Sequence, residues 1–160
     1  APPNQVLLNE YRDGEGIDPH KDGPLYQRLA CIVSLESDAV IDFSLDKVEC
    51  GEKGGTIPKR SVVLRRNSCL SFTGEAYDCY KHGIMTRHSD VVGSEVINIA
   101  EANVEPGEEI LRAYPRRLSL TLRRLERVER HFDEFDIVTT EDEVEMKRRK
   151  AWWFRSISEK

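Results

Sequence analysis

The run RRLSLTLRR, residues 116 to 124, does most to limit what this chain can fold into. Leu118, Leu120 and Leu122 alternate with Arg117, Ser119, Thr121 and Arg123. Successive side chains on a strand point to opposite faces, so the run is a β-strand with one apolar and one polar face. VLLNEY (6–11), ACIVSLE (30–36), AVIDFSL (39–45), SVVLRR (61–66) and SCLSFTG (68–74) are also short and β-patterned. Turn formers separate them: RDGEG (12–16), Ser37 and Asp38, the flexible GEKGG (51–55), then Asn67 and Ser68. Ser37 and Asp38 suit a hairpin between their flanking strands. INIAEANVEPGEEILRAYP (97–115) has no clean period and reads as a long loop. Many short strands and few helices imply an all-β sandwich or barrel-like fold, not a parallel α/β sheet.

The tail differs. Thr140 followed by Glu143 is a capping-box pattern, with acidic residues then near the helix start and basic ones near its end. The pattern predicts a C-terminal helix over 141–156, hence a core over 1–138 and a helical segment over 139–160, packed on the core or extending from it. Trp152, Trp153 and Phe154 would dock this helix on the sheet or on a partner, and KRRK (147–150) is most simply a solvated face.

Composition narrows the classes further. A chain of 160 residues holds one domain with one substantial core. No apolar run is long enough for a membrane helix, and APPNQVLLNEY has neither part of a signal peptide. One domain of a longer chain is expected. The net charge of −5 argues against non-specific coating of nucleic acid. It leaves room for a local basic patch, and Arg112, Arg116, Arg117, Arg123, Arg124, Arg127 and Arg130 do cluster. The four cysteines form no CxxC pair, so no structural zinc site is expected, and Cys31 and Cys69 read as small core residues. A monomer in the reducing cytoplasm and nucleus fits this usage.

Chemistry enters at GIDPHKDGPLY, residues 16 to 26. On an extended backbone His20 and Asp22 point to one side and can meet one ion. An HxD pair alone arises often by chance and needs a distant third ligand. Two histidines and a carboxylate on one face of an octahedron leave three positions open, as in non-haem Fe(II) oxygenases. His82, His88 and His131 are the candidates. His82 follows an aromatic-rich run and precedes Gly83, which favours it; His88 sits among polar residues and His131 after a charged run. Arg117 and Arg123 lie on one strand face, roughly 20 Å apart. A buried arginine needs an anion, and its rigid fork suits a carboxylate. An ordinary ion pair would serve either one alone; a dicarboxylic cosubstrate is the sharper reading.

Taken in order, NEY (9–11), HKD (20–22), KHGI (81–84) and RLSLTLR (117–123) resemble the AlkB family of Fe(II)- and 2-oxoglutarate-dependent dioxygenases. VLLNEY followed by GEGIDPHKDGPLY looks closest to its sixth eukaryotic homologue group. The resemblance implies a double-stranded β-helix, or jelly roll, with Fe(II) held by His20, Asp22 and His82. It implies that Arg117 grips the distal carboxylate of 2-oxoglutarate and that Arg123 lies near the 1-carboxylate. Asn9 and Tyr11 would donate hydrogen bonds to the cosubstrate. Ser119 stands where better-characterised members have asparagine, so its contact would have a shorter reach. The family carries a substrate-gripping lid before the strand matching VLLNEY, and the given sequence starts there; a missing lid segment is expected.

The implied activity consumes dioxygen and 2-oxoglutarate, yields succinate and carbon dioxide, and hydroxylates a C–H bond. On an N-methyl group the product releases formaldehyde. Oxidative dealkylation of a nucleic-acid base is the leading expectation, with DNA or RNA as partner. Such a base must be held out of its stack. Tyr26, Tyr77 and Tyr80 are candidates to contact it, against the plainer reading of each as packing. The alternatives are hydroxylation or demethylation of a protein side chain, and a non-catalytic nucleic-acid-binding module that keeps the fold. A cupin-like site for another metal would leave the arginine strand unexplained.

Overall fold

Strands with one apolar face need a second layer to cover it. The structure, a computed structural model, describes residues 1–46, 59–112 and 116–126. Within them β1 (Gln5–Arg12), β10 (Arg116–Arg123), β3 (Leu29–Leu35) and β6 (Ser68–Thr73) form one four-stranded sheet in that spatial order. The second sheet runs β2 (Ile17–His20), β7 (Tyr80–Ile84), β4 (Ala39–Leu45), β5 (Arg60–Leu64). Neighbouring strands within both sheets are antiparallel. A two-stranded ribbon, β8 (Ser89–Val91) with β9 (Glu109–Leu111), and the short helices α1 (Glu75–Asp78) and α2 (Ile99–Ala102) complete the described elements. This is the mainly-β jelly roll expected from the strand pattern and the resemblance.

The core lies between the sheets. Ala30, Ile32 and Phe72 from the first sheet meet Ile41, Phe43, Val62, Leu64 and Ile84 from the second, with Tyr77 of α1 among them. A second cluster, Val40 and Val63 against Val92, Val96, Ala102, Val104 and Ile110, sits on the opposite side chains of β4 and β5. The strand β10 reverses the usual rule. Arg117, Ser119, Thr121 and Arg123 are its buried side chains, while its three leucines are only half-buried. Polar groups turned inward along a whole strand mark an interior built for something other than packing.

Several expectations change. Ser37 and Asp38 do not close a hairpin: β3 and β4 belong to different sheets, and the chain turns the corner between them at Glu36, whose φ is 68°. Both strands have apolar residues that must meet across one interior, so the chain crosses rather than doubles back. The stretch 97–115 is not all loop, since it holds α2 and β9. Elements of three or four residues are too short to show a period. Asn98 secures this region by pairing its amide with both backbone groups of Val63, at 2.9 Å each. Cys31 and Cys69 are half-buried and exposed, not core, because they occupy the alternate positions to Ile32 and Leu70. The chain divides into two compact units, Ala1–Glu126 and Arg127–Lys160. The expected boundary at 138/139, the helix over 141–156, its aromatic trio and KRRK lie outside the described residues.

Candidate active site

The strand β2 is short, lies at a sheet edge, and carries Pro19, a residue tolerated at an edge and at a break in the ladder such as the irregular register between Ile17 and His20. It ends at His20, which pairs directly with His82 of β7. Asp22 follows just past the strand, so the HxD pair spans a strand end rather than one extended run. Gly83 explains the closeness of these two strands. A Cβ there would come within 2.8 Å of Ile17 O and Pro19 N, nearer than real Cβ atoms approach. Glycine at this position lets β2 press against β7 and brings the two rings to 4.6 Å between centroids.

One ligand atom from each of His20, Asp22 and His82 lies within 4.8 Å of the others. Asp22 and His82 are each 5% exposed. His20 Nδ1 is 2.8 Å from Asp18 O. A carbonyl only accepts, so Nδ1 donates to it and Nε2 is the nitrogen turned to the cluster as a ligand atom. Burial, aided by the neighbouring His20, pushes His82 down to about 4, which keeps it neutral near pH 7 and able to ligate. Phe72 and Phe43 pack on that ring at 5.0 and 6.0 Å. Asp22 Oδ1 accepts from Arg123 Nη1 at 2.5 Å, while its Oδ2 is buried with no hydrogen-bond partner. An orphaned carboxylate oxygen beside two imidazoles fits a divalent transition metal with open positions.

Three arginines are buried among the described residues: Arg112, Arg117 and Arg123. Arg112 pairs with buried Asp90, and Arg123 with Asp22. Among the described residues Arg117, 1% exposed, pairs with no carboxylate. Its Nε donates to Ser34 Oγ at 2.9 Å, and among the described residues the buried Nη1 and Nη2 have no hydrogen-bond partner. Burial pushes its pKa down, opposed by Tyr11, over whose ring the guanidinium sits at 5.3 Å. Burial in turn raises the Tyr11 hydroxyl, opposed by Arg117. Such a fork fits a carboxylate from a ligand.

The other expected residues fall as follows. Asn9, Ser119 and Ser34 lie side by side across β1, β10 and β3. Asn9 and Tyr11 also line a cleft of about 380 Å³ with Ile17, Gly16 and Thr86. Arg123 is engaged by Asp22, by Gln5 Oε1 at 3.0 Å and by the Tyr26 ring at 4.4 Å. Tyr77 is 8% exposed in the core, its hydroxyl donating to Gly23 O at 3.2 Å. Tyr80 is half-buried against the same core. His88 stands apart on the surface, 3.0 Å from Asp13, and His131 lies outside the described residues. Sequence reading missed Ser34, Gln5 and Phe72. Ser34 alone left a trace, as a hydroxyl at an inward position of an apolar strand.

The comparisons agree with this geometry. The 2OG-Fe(II) oxygenase superfamily model matches residues 1–123. A probable RNA/DNA demethylase ALKBH6 of Danio rerio is 33% identical over 78% of this chain and 54% of its own length. The tRNA (carboxymethyluridine(34)-5-O)-methyltransferase alkbh8 of Xenopus tropicalis is 30% identical over 77% of this chain and 18% of its own length. An uncharacterized protein L905 of Acanthamoeba polyphaga mimivirus is 32% identical over 59% of this chain and 42% of its own. The chain thus spans about half the length of the zebrafish relative and far less of the frog one. With a jelly roll, a His-Asp-His cluster and matching sequence over most of its length, this chain belongs to the 2OG-Fe(II) oxygenase superfamily and, within it, to the AlkB family.

Proposed function

We propose that this chain is an Fe(II)- and 2-oxoglutarate-dependent dioxygenase that dealkylates nucleic-acid bases. The carrying observation is a pair of unsatisfied buried groups: Asp22 Oδ2 in the His-Asp-His cluster, and the Nη1 and Nη2 of Arg117. One lacks a cation and the other an anion, and Arg123 links the strand that bears Arg117 to Asp22 itself. When bound, iron and 2-oxoglutarate supply an oxidant able to hydroxylate a C–H bond.

The side chains have separate tasks. His20, Asp22 and His82 hold the metal, and Arg123 fixes the Asp22 carboxylate so that its second oxygen stays free. Arg117 takes the distal carboxylate of the cosubstrate, with Asn9, Tyr11 and Ser119 as hydrogen-bonding neighbours. The inward polar face of β10 therefore serves cosubstrate binding rather than packing. Tyr26, half-buried over Arg123, is the tyrosine best suited to meet an extruded base. A hydroxylated N-methyl carbon is a hemiaminal and loses formaldehyde, restoring the base. The printed name of the Danio relative, a probable RNA/DNA demethylase, supports a nucleic acid over a protein as substrate.

Incubation with Fe(II), 2-oxoglutarate and air tests this reading, using methylated single-stranded oligonucleotides and methylated peptides. Succinate with demethylated oligonucleotide is the expected result. Succinate with modified peptide alone would move the substrate to protein, and no succinate with either would make the chain a binding module.

A further inference from the structure

An arginine can offer a carboxylate either of two edges: side-on, through Nε and one Nη, or end-on, through Nη1 and Nη2. Ser34 meets Arg117 on the first of these edges. Ser34 is completely buried, sits directly across from Ser119 on the neighbouring strand, and its Oγ accepts the Arg117 Nε–H at 2.9 Å. Nη1 and Nη2 meet no hydrogen-bond partner at bonding geometry among the described residues, with Tyr11 the nearest polar side chain acting on the guanidinium. We infer that Ser34 is the positioning residue of the cosubstrate site: by occupying Nε it blocks the side-on edge of Arg117 and presents the end-on edge to the distal carboxylate of 2-oxoglutarate.

The inference rests on the proposed function and adds to it a residue outside the site expected from sequence. Ser34 does not touch the ligand. It stops the guanidinium from rotating about its long stem, a freedom that an arginine loses only at an entropic cost. It also keeps a buried N–H satisfied whether or not cosubstrate is bound.

Anaerobic calorimetric titration of the Fe(II)-loaded protein tests it, with two 2-oxo acids. One is 2-oxoglutarate; the other is 2-oxobutyrate, which keeps the chelating keto acid and lacks the distal carboxylate. Ser34→Ala should weaken 2-oxoglutarate about tenfold and leave 2-oxobutyrate within about twofold. Ser34→Thr, which retains the hydroxyl, should restore the parent affinity for 2-oxoglutarate. Equal loss for both acids would show a merely structural serine, and no loss for either would show that Arg117 needs no positioning; each overturns the inference and leaves the proposed function standing. A parent that binds neither acid would remove both.

Discussion

Gly83 shows how much of this site depends on a missing atom. A methyl group there would meet the backbone of Ile17 and Pro19, so β2 must move outward and carry His20 away from His82. Gly83→Ala should therefore weaken Fe(II) binding at least about tenfold, because one of three ligands is misplaced; a metal titration with parent-like affinity would contradict this. Tyr77 makes a different prediction. Burial first, and then the Asp22 charge, raise its hydroxyl to about 12 from an ordinary 10. Between these values the unfolded chain loses the proton and the folded one keeps it, so rising pH favours unfolding. Denaturant melts from pH 10 to 12 should show the parent losing stability relative to Tyr77→Phe; parallel curves would refute the assignment. At this scale the sequence was legible where chemistry demands a residue type. His20, Asp22, His82 and Arg117 could be read because few other side chains bind a metal or a dicarboxylate. Ser34 could not, since a serine in a strand is ordinary until its partner across the sheet is known. Nor could the engagement of Arg123 by Asp22, Gln5 and Tyr26, which comes from segments far apart in sequence.

Among the strands of the two four-stranded sheets, β2 is the shortest, with four residues, one partner strand and an irregular register between Ile17 and His20. It also carries His20, one of the three residues proposed to hold the metal. Its amides should exchange quickly in metal-free protein and slow markedly with Fe(II) and 2-oxoglutarate bound, as a ligand suppresses local opening. Hydrogen exchange at Ile17 and His20 that ignores the metal would separate β2 from the site. Opposite it, Phe72 of β6 is 7% exposed and packs edge-on against both Phe43 and His82. Phe72→Ala should cost about 3–5 kcal/mol by denaturant titration, and a loss below about 1 kcal/mol would mean the core collapses to fill the gap. Strands were legible because alternation survives at any length above five or so residues. Their pairings were not. Ser37 and Asp38 have the composition of a hairpin turn, yet β3 pairs with β10 and β6 while β4 pairs with β5 and β7. Turn chemistry says where a chain bends, whereas the shared interior decides which sheet it enters next.

In the unit Ala1–Glu126 as a whole, the first strand pairs along its entire length with the last, from Gln5 opposite Arg123 to Arg12 opposite Arg116. That pairing places Asn9 and Tyr11 beside Ser119 and Arg117, so the residues proposed to bind the cosubstrate meet only when the fold closes. The two halves of the site come from opposed sheets: the metal cluster from β2, β7 and the turn after β2, the arginine face from β10. The motifs could be read singly, and the family resemblance supplied their order; their convergence needed the three-dimensional arrangement. The central claim is that Asp22 Oδ2 and the Arg117 fork are held ready for one iron-chelated dicarboxylate. Its most direct test is optical and anaerobic: add Fe(II), then 2-oxoglutarate, and record the visible charge-transfer band of the chelate in the parent, Asp22→Ala and Arg117→Ala proteins. The account predicts a band in the parent, none in Asp22→Ala, and one in Arg117→Ala that needs far more 2-oxoglutarate to appear. A parent-strength band in Asp22→Ala, or no band in a folded, metal-loaded parent, would contradict it.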